Sequence, residues 1–238
     1  MITGENRVGE GFYPPEITMT IVGEGLDPPA KEETRSMSKE MTTKSTFTTR
    51  DLAIIPIFAA ITAVLAQIAI PIPFTAVPIS FGLVAVYMSG ILLTPKQAVY
   101  SQICYLLLGA VGLPVFGGFK GGLAALVGPT GGYLMVYPLC AWIVAMALNS
   151  KNARQTEKNQ SQGMVMLRAG IAMLIAHTIL YLGGTIWLSF MTKNTFIASL
   201  SLAVIPFIPL DIIKILFCTL VIVPFRKRLI KAGVILKD

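Results

Sequence analysis

The stretch MVMLRAGIAMLIAHTILYLGGTIWLSFM, residues 164–191, decides the fold class of this chain. Arg168 and His177 are its only basic side chains, and it contains no acidic one. About 20 consecutive apolar residues in a helix are enough to cross the hydrocarbon core of a bilayer. This segment is longer than that, so it predicts a membrane-spanning α-helix.

The composition of the rest of the chain agrees with a membrane protein. Hydrophobic residues make up 54% of the 238 residues and charged residues only 13%, whereas a soluble domain has roughly 25% charged residues. Several of the other apolar segments are short, and we expect those to be tilted, broken or buried among their neighbours. They cover residues 52–70, 79–93, 97–111, 133–148 and 209–225, with an amphipathic piece at 196–204. The sequence predicts an all-α integral membrane protein with six transmembrane helices.

The chain divides into two parts by composition. Residues 1–45 are rich in Gly, Pro, Thr, Glu and Lys and show no hydrophobic periodicity. Such a segment buries too little apolar surface to order itself, which predicts a disordered polar tail. Residues 46–230 are then the six-helix membrane domain.

The basic residues set the predicted topology. Six spans place both termini on one side, and loops rich in Lys and Arg face the cytoplasm. The loops assigned to the opposite side carry only Lys120 and Lys193. We therefore expect cytoplasmic termini, and we attribute the net charge of +7 to this rule. The chain has no basic stripe with interleaved aromatic residues, so we expect no nucleic-acid partner.

Asp211 and Lys214 are the most informative charged pair. A charge at membrane depth costs about 2.5–3.5 kcal/mol on insertion scales, so such residues usually serve function. Their spacing of three puts them on one helix face. They form either a neutralising ion pair or a ligand clamp, in which Asp211 accepts hydrogen bonds and Lys214 meets a carboxylate. We favour the clamp.

The glycine-rich stretch at residues 112–132 predicts a second part of the site. Its Gly117–Gly122 run, GGFKGG, lacks the pattern of a phosphate-binding ATPase loop. Two Gly-Gly pairs and two phenylalanines are more than a simple surface turn needs. We interpret the stretch as a lid or pocket wall, because non-helical backbone at membrane depth is tolerated where it lines a cavity.

These motifs together resemble one family. The runs GLPVFGGFKGGLAALVGPTGGYL (residues 112–134) and PFIPLDIIK (206–214), with the prolines of residues 71–79, closely resemble the BioY family. Its members are biotin-specific S components of energy-coupling factor (ECF) transporters. The resemblance covers residues 48–230. One departure is Ser80-Phe81-Gly82, where many relatives carry a Thr-Leu-Gln-like sequence, so a contact from that glutamine is missing.

The resemblance implies a six-helix protein that captures biotin from outside, with biotin as ligand rather than cofactor. Asp211 then suits the ureido N–H groups, and Lys214 suits the carboxylate or a network that holds it. Phe116, Phe119 and Tyr133 then cover the apolar parts of the ligand, and Lys120 is a further substrate-binding residue.

The resemblance further implies partners and a location. Small residues at helical spacing allow another helix to approach closely, and in this family such a face docks the shared transmembrane coupling subunit, which works with two ATPase subunits. The matching residues are Ala59, Ala63 and Ala66. The protein then lies in the cytoplasmic membrane of a bacterium or archaeon.

Three alternatives stay open at this point. The first is a solitary biotin carrier that needs no partner, and the second is an S component for another small carboxylated vitamin. The third is a membrane enzyme acting on a lipid-like carboxylate. We expect no enzyme, because the sequence has no recognisable nucleophile or acid–base pair, and the lone His177 is more often a structural group.

Overall fold

The computed structural model describes residues 48–70, 73, 78–149 and 161–233. The predicted tail at 1–45, residues 71–72 and 74–77 of the proline-rich loop, and much of the polar loop after residue 149 lie outside the described residues. The helices are α1 (Thr49–Gln67), α2 (Gly82–Leu92), α3 (Pro95–Ala110), α4 (Leu123–Val127), α5 (Gly131–Asn149), α6 (Gln162–Thr192), α7 (Phe196–Ala203), α8 (Ile208–Phe217) and α9 (Val223–Lys231). A 3₁₀ turn (Ile205–Phe207) and a π-helical turn (Cys218–Ile222) join the last three.

Side-chain caps explain where the first long helices begin. The Thr48 hydroxyl accepts from the Asp51 amide, and the Asp51 carboxylate accepts from the Thr48 amide, so α1 begins at Thr49. Thr94 and Gln97 form the same reciprocal cap at the start of α3. Pro95 therefore occupies the first turn of α3, where its missing N–H costs nothing. The predicted start of that segment at residue 97 is two residues late.

Four described segments are long and apolar enough to cross a membrane: α1, α5, α6 and the stretch Phe196–Lys231. The helix α2 is shorter, with 11 residues, and all but one of them are buried. It packs against α1, α3 and α5. The expectation that a short apolar segment is buried among its neighbours is confirmed for α2.

The last helical stretch extends further than the hydrophobicity predicts. The segment 226–231 is rich in basic residues and is nevertheless helical. Its Arg226 is buried. Its Nη2 donates to the Leu148 carbonyl (3.4 Å) and to Asn149 Oδ1 (3.0 Å) at the end of α5. Because helix C-termini present acceptors without partners, this cation is compatible with burial and stabilises the end of α5.

The small residues of α1 pack within the chain. Ala59 is 0% exposed and Ala66 is 2% exposed, while Ala63 is half-buried. A Cβ added at Gly82 of α2 would lie 3.2 Å from the Ala66 Cβ, which shows how closely α2 approaches. The small side chains thus allow another helix to approach closely, but Ala59 and Ala66 are used for packing inside the bundle. The outer side of α1 presents Ile57, Ala60 and Val64.

Candidate functional site

The Asp211 carboxylate lies in the first turn of α8, and Lys214 lies one turn later. Both are nearly buried, with 6% and 7% of their surface exposed. The positive end of the helix dipole favours a carboxylate at this position. The Lys214 Nζ donates to Asp211 Oδ1 at 2.8 Å, which neutralises the pair.

The other carboxylate oxygen faces α6. The Tyr181 hydroxyl donates to Asp211 Oδ2 at 2.5 Å. His177 Nε2 lies 3.2 Å from the same oxygen, although its N–H is not aligned for a hydrogen bond. The opposite ring nitrogen of His177, Nδ1, lies 2.8 Å from the hydroxyl of Tyr87 on α2. Three donor groups from two helices therefore surround one buried carboxylate.

Sequence reasoning missed the contribution of α6. His177 was interpreted as a structural group, and Tyr181 was not singled out. The two residues are four apart, so they share one face of the helix, and that face meets Asp211. A polar pair at helical spacing in an otherwise apolar span is the signal that points to them.

Two cavities of about 70 Å³ each meet at this site. The walls of the first, which we call the aspartate cavity, include Asp211, Lys214 and Tyr181. The walls of the second, the lysine cavity, include Lys120 and Phe116. The residues that line both are Pro78, Ser80, Tyr133 and Tyr137. Because the cavities share these walls, they are adjacent.

Tyr133 is held between the two cavities by a glycine. A Cβ added at Gly184 of α6 would lie 2.2 Å from the Tyr133 ring, so only glycine leaves room for the ring there. The Tyr133 hydroxyl lies 3.3 Å from the Thr185 hydroxyl. These contacts fix the ring where it lines both cavities.

The glycine-rich loop forms the wall of the lysine cavity. Phe116 and Lys120 exchange backbone hydrogen bonds of 2.9 and 3.2 Å around a tight turn. Gly118, with φ of +73°, allows that turn. The Phe116 ring is buried and packs against Gly109, edge-on to the Tyr105 ring at 5.5 Å between centroids.

Phe119 points away from both cavities. Its side chain is 71% exposed, and it lines neither cavity. Its backbone has a role instead, since the Phe119 amide donates to Gln67 Oε1 at 2.8 Å. Gln67 Nε2 donates to the Pro114 carbonyl at 3.2 Å, so the end of α1 holds the loop. Nothing in the sequence pattern marked Gln67.

The base of the loop between α1 and α2 closes the other side of the site. Strands β1 (Ala69–Ile70) and β2 (Ile79–Ser80) pair antiparallel, with Ala69 opposite Ser80. The Ser80 hydroxyl donates to the Ala66 carbonyl (3.4 Å) and accepts from the Gly82 amide (3.0 Å). This ladder places Ser80 in the wall of both cavities.

The structure thus brings together five of the six predicted substrate residues: Asp211, Lys214, Tyr133, Phe116 and Lys120. The site offers a buried carboxylate at one end, an exposed lysine at the other, and aromatic walls between them. A carboxylate accepts N–H groups, and an ammonium binds anions. The arrangement suits an elongated ligand with N–H donors at one end and an anion at the other.

Comparison with known proteins places the chain in a family. Residues 37–231 match the model of the BioY family. The chain is 32% identical to "Biotin transporter BioY2" of Lactococcus lactis over 71% of this chain and 86% of that protein. It is 35% identical to "Biotin transporter BioY" of Thermotoga maritima over 72% of this chain and 92% of that protein.

A solved structure shares the fold as well. The crystal structure of the S component for biotin from an ECF-type ABC transporter superposes with a TM-score of 0.65 at 28% identity. The superposition covers 76% of this chain and 95% of the other. On the family match and on relatives aligned over most of their length, this chain belongs to the BioY family.

Proposed function

We propose that this protein binds biotin and takes it across the cytoplasmic membrane as the substrate-binding component of an ECF transporter. The observation that carries the proposal is the buried Asp211 carboxylate, joined by shared aromatic walls to a cavity that ends at Lys120. Relatives named as biotin transporters and a structural neighbour described as an S component for biotin support it.

The contacts suggest how biotin lies in the site. Lys214 is already engaged with Asp211 at 2.8 Å, and separating a buried ion pair leaves an uncompensated charge. Lys214 therefore acts in the network that holds Asp211. The ureido N–H groups of biotin are placed against Asp211, and its carboxylate extends to Lys120. Tyr133 and Phe116 cover the apolar bicycle and alkyl chain.

The transport proposal includes six spans with cytoplasmic termini. The four long segments and the shorter α2 and α3 supply the six. A cysteine placed at Lys193, which is exposed after α6, is expected to react with an impermeant thiol reagent from outside intact cells. A cysteine at Lys158, in a cysteine-free background, is expected to stay unlabelled. The reverse pattern would invert the topology.

The partners in this proposal are a transmembrane coupling subunit and two ATPase subunits. In this proposal the described side chains bind biotin by packing and by electrostatic attraction, and we assign them no catalytic step. The outer face of α1, around Ala60, offers small side chains for a partner helix, whereas Ala59 and Ala66 are used within the bundle. Ala63 lies between these two faces.

The test uses the purified full-length chain in lipid nanodiscs and in proteoliposomes. Titration calorimetry is expected to show one biotin bound per chain, and no comparable heat with another carboxylated vitamin. Proteoliposomes are expected to accumulate biotin only when the coupling subunit and ATPases are present. Binding of a different vitamin would contradict biotin as the substrate. Concentrative uptake by the chain alone would establish a solitary carrier.

A further inference from the structure

A second layer of polar residues stands behind Asp211. His177 and Tyr87 are buried, and neither lines the aspartate cavity or the lysine cavity. They do not reach a ligand in those cavities, so any effect they have on binding passes through the cavity-lining residues that His177 contacts, Asp211 and Tyr181. The imidazole is also fixed by the Tyr181 ring, which packs edge-on with 4.2 Å between centroids.

The hydrogen-bonding chemistry assigns roles to the two imidazole nitrogens. A neutral imidazole has one donor nitrogen and one acceptor nitrogen. Nε2 faces the carboxylate oxygen Oδ2 at 3.2 Å, and a lone pair in that position would meet a negative charge. Nε2 therefore carries the proton, and Nδ1 accepts from the Tyr87 hydroxyl at 2.8 Å. Among the described residues, Nε2 has no hydrogen-bond partner, so its contact with Asp211 is an electrostatic attraction.

This assignment makes the pair a support for the carboxylate. The Lys214 ammonium ends a flexible chain, so it neutralises Asp211 without fixing the orientation of its carboxylate. The imidazole is rigid and is held on the far side by Tyr87. A carboxylate has about four acceptor positions, and the donors from Lys214, Tyr181 and His177 leave capacity for a ligand N–H.

We propose that Tyr87 and His177 act as positioning residues for biotin binding: Tyr87 fixes the imidazole of His177, and His177 orients the Asp211 carboxylate towards the ligand. The inference rests on the proposed function. It adds two residues that do not touch the ligand and that no motif of the glycine-rich loop or of α8 contains.

The test measures biotin affinity of full-length variants in nanodiscs. His177→Leu removes the polar N–H group beside the carboxylate and is expected to bind biotin about tenfold more weakly, because electrostatic contacts are strong in a buried, low-dielectric site. His177→Gln keeps an N–H near the position of Nε2 and is expected to recover most of the affinity. Tyr87→Phe removes one hydroxyl and is expected to weaken binding by less than His177→Leu does.

The double variant Tyr87→Phe/His177→Leu separates positioning from packing. If Tyr87 acts through His177, the double variant binds as His177→Leu does, because the two losses are coupled. The control is Cys140→Ala, which removes a buried thiol that donates to the Ala176 carbonyl beside His177. That control is expected to keep wild-type affinity.

Three results would overturn the inference: wild-type affinity in His177→Leu, equal losses in His177→Leu and His177→Gln, or additive losses in the double variant. If His177→Leu does not fold, the deciding measurement is the effect of Tyr87→Phe on biotin affinity, made once in the wild type and once in His177→Gln. Tyr87→Phe and His177→Gln are both close in shape to the wild-type side chains. There, equal losses from Tyr87→Phe in the two backgrounds would overturn it. A wild-type protein that does not bind biotin would instead overturn the proposed function, and this inference with it.

Discussion

The two ends of the candidate site are built in different ways. The charges of the aspartate cavity, Asp211 and Lys214, are buried and paired within α8, and Tyr181 of α6 donates to Asp211. The charged residue of the lysine cavity, Lys120, lies on a loop, where it is exposed and the turn is held by backbone hydrogen bonds and by Gln67. Groups on packed helices are held more rigidly than groups on loops. We infer that the aspartate end determines which ligand binds and that the lysine end adds affinity for its anion.

The largest expected effect comes from breaking the charged pair. Asp211→Asn leaves Lys214 buried without its counter-charge, which costs about 3–5 kcal/mol of stability, and it replaces the charged acceptor of the ureido N–H groups with a neutral amide that has one acceptor oxygen. We expect loss of biotin binding and a lower melting temperature. The double variant Asp211→Asn/Lys214→Met is expected to regain stability but not binding.

The matched control for this experiment is Asp51→Asn. That change removes a carboxylate from the cap of α1, away from both cavities, and costs about 1 kcal/mol of helix stability. Biotin affinity is expected to stay unchanged. Full biotin binding by Asp211→Asn would reduce the pair to a structural role.

A smaller effect is expected where the two cavities meet. Gly184→Ala places a methyl group on the Tyr133 ring, and overpacking of this kind costs about 1–3 kcal/mol. We expect biotin affinity to fall about tenfold as the ring shifts, measured by calorimetry. Gly170→Ala on the same helix is the control, because its Cβ would make only an ordinary contact, 3.8 Å from the Thr219 hydroxyl. Equal affinities in both variants would show that Tyr133 is not a wall of the site.

The loop is expected to respond more weakly still. Gln67→Leu removes the hydrogen bonds to the Phe119 amide and the Pro114 carbonyl, each worth about 1 kcal/mol. We expect faster hydrogen exchange across residues 112–122 and a few-fold faster release of biotin. The control, Thr178→Ala, removes an exposed hydroxyl that bonds only the Leu174 carbonyl. Unchanged exchange in Gln67→Leu would contradict the anchoring role of Gln67.

The smallest effect is expected at Phe119. Its ring is exposed and lines neither cavity, so Phe119→Ala should change biotin affinity by less than about twofold, in line with other surface substitutions. Phe116→Ala provides the contrast, because that ring is buried in the cavity wall. A loss at Phe119 equal to that at Phe116 would show that the loop closes over the ligand.

The sequence predicts the helices and the charged pair well, for physical reasons. Long apolar runs leave few alternatives to helices in a membrane, and a charge in such a run, such as Asp211, is costly enough to stand out. Boundaries differ where polar caps extend a helix, as at Thr48 and Thr94. They also differ at the end of α9, where buried Arg226 is satisfied by α5.

The partners of the charged pair could not be predicted in the same way. His177, Tyr181 and Gln67 act through contacts with residues distant along the chain, and one sequence gives no distances between helices. The direction of a side chain is equally hidden, as the two phenylalanines of the loop show. Phe116 and Phe119 occur in the same glycine-rich context, yet one is buried and the other is exposed.

The central claim is that one biotin molecule spans both cavities, with its ureido ring at Asp211 and its carboxylate at Lys120. The most direct measurement is a thermodynamic cycle: calorimetric affinities of the wild type and Lys120→Gln for biotin and for biotin methyl ester. The account predicts that esterification weakens binding to the wild type, and that it has little further effect once Lys120 is replaced, because the same interaction is then already lost. An equal penalty for the ester in both proteins would contradict this arrangement.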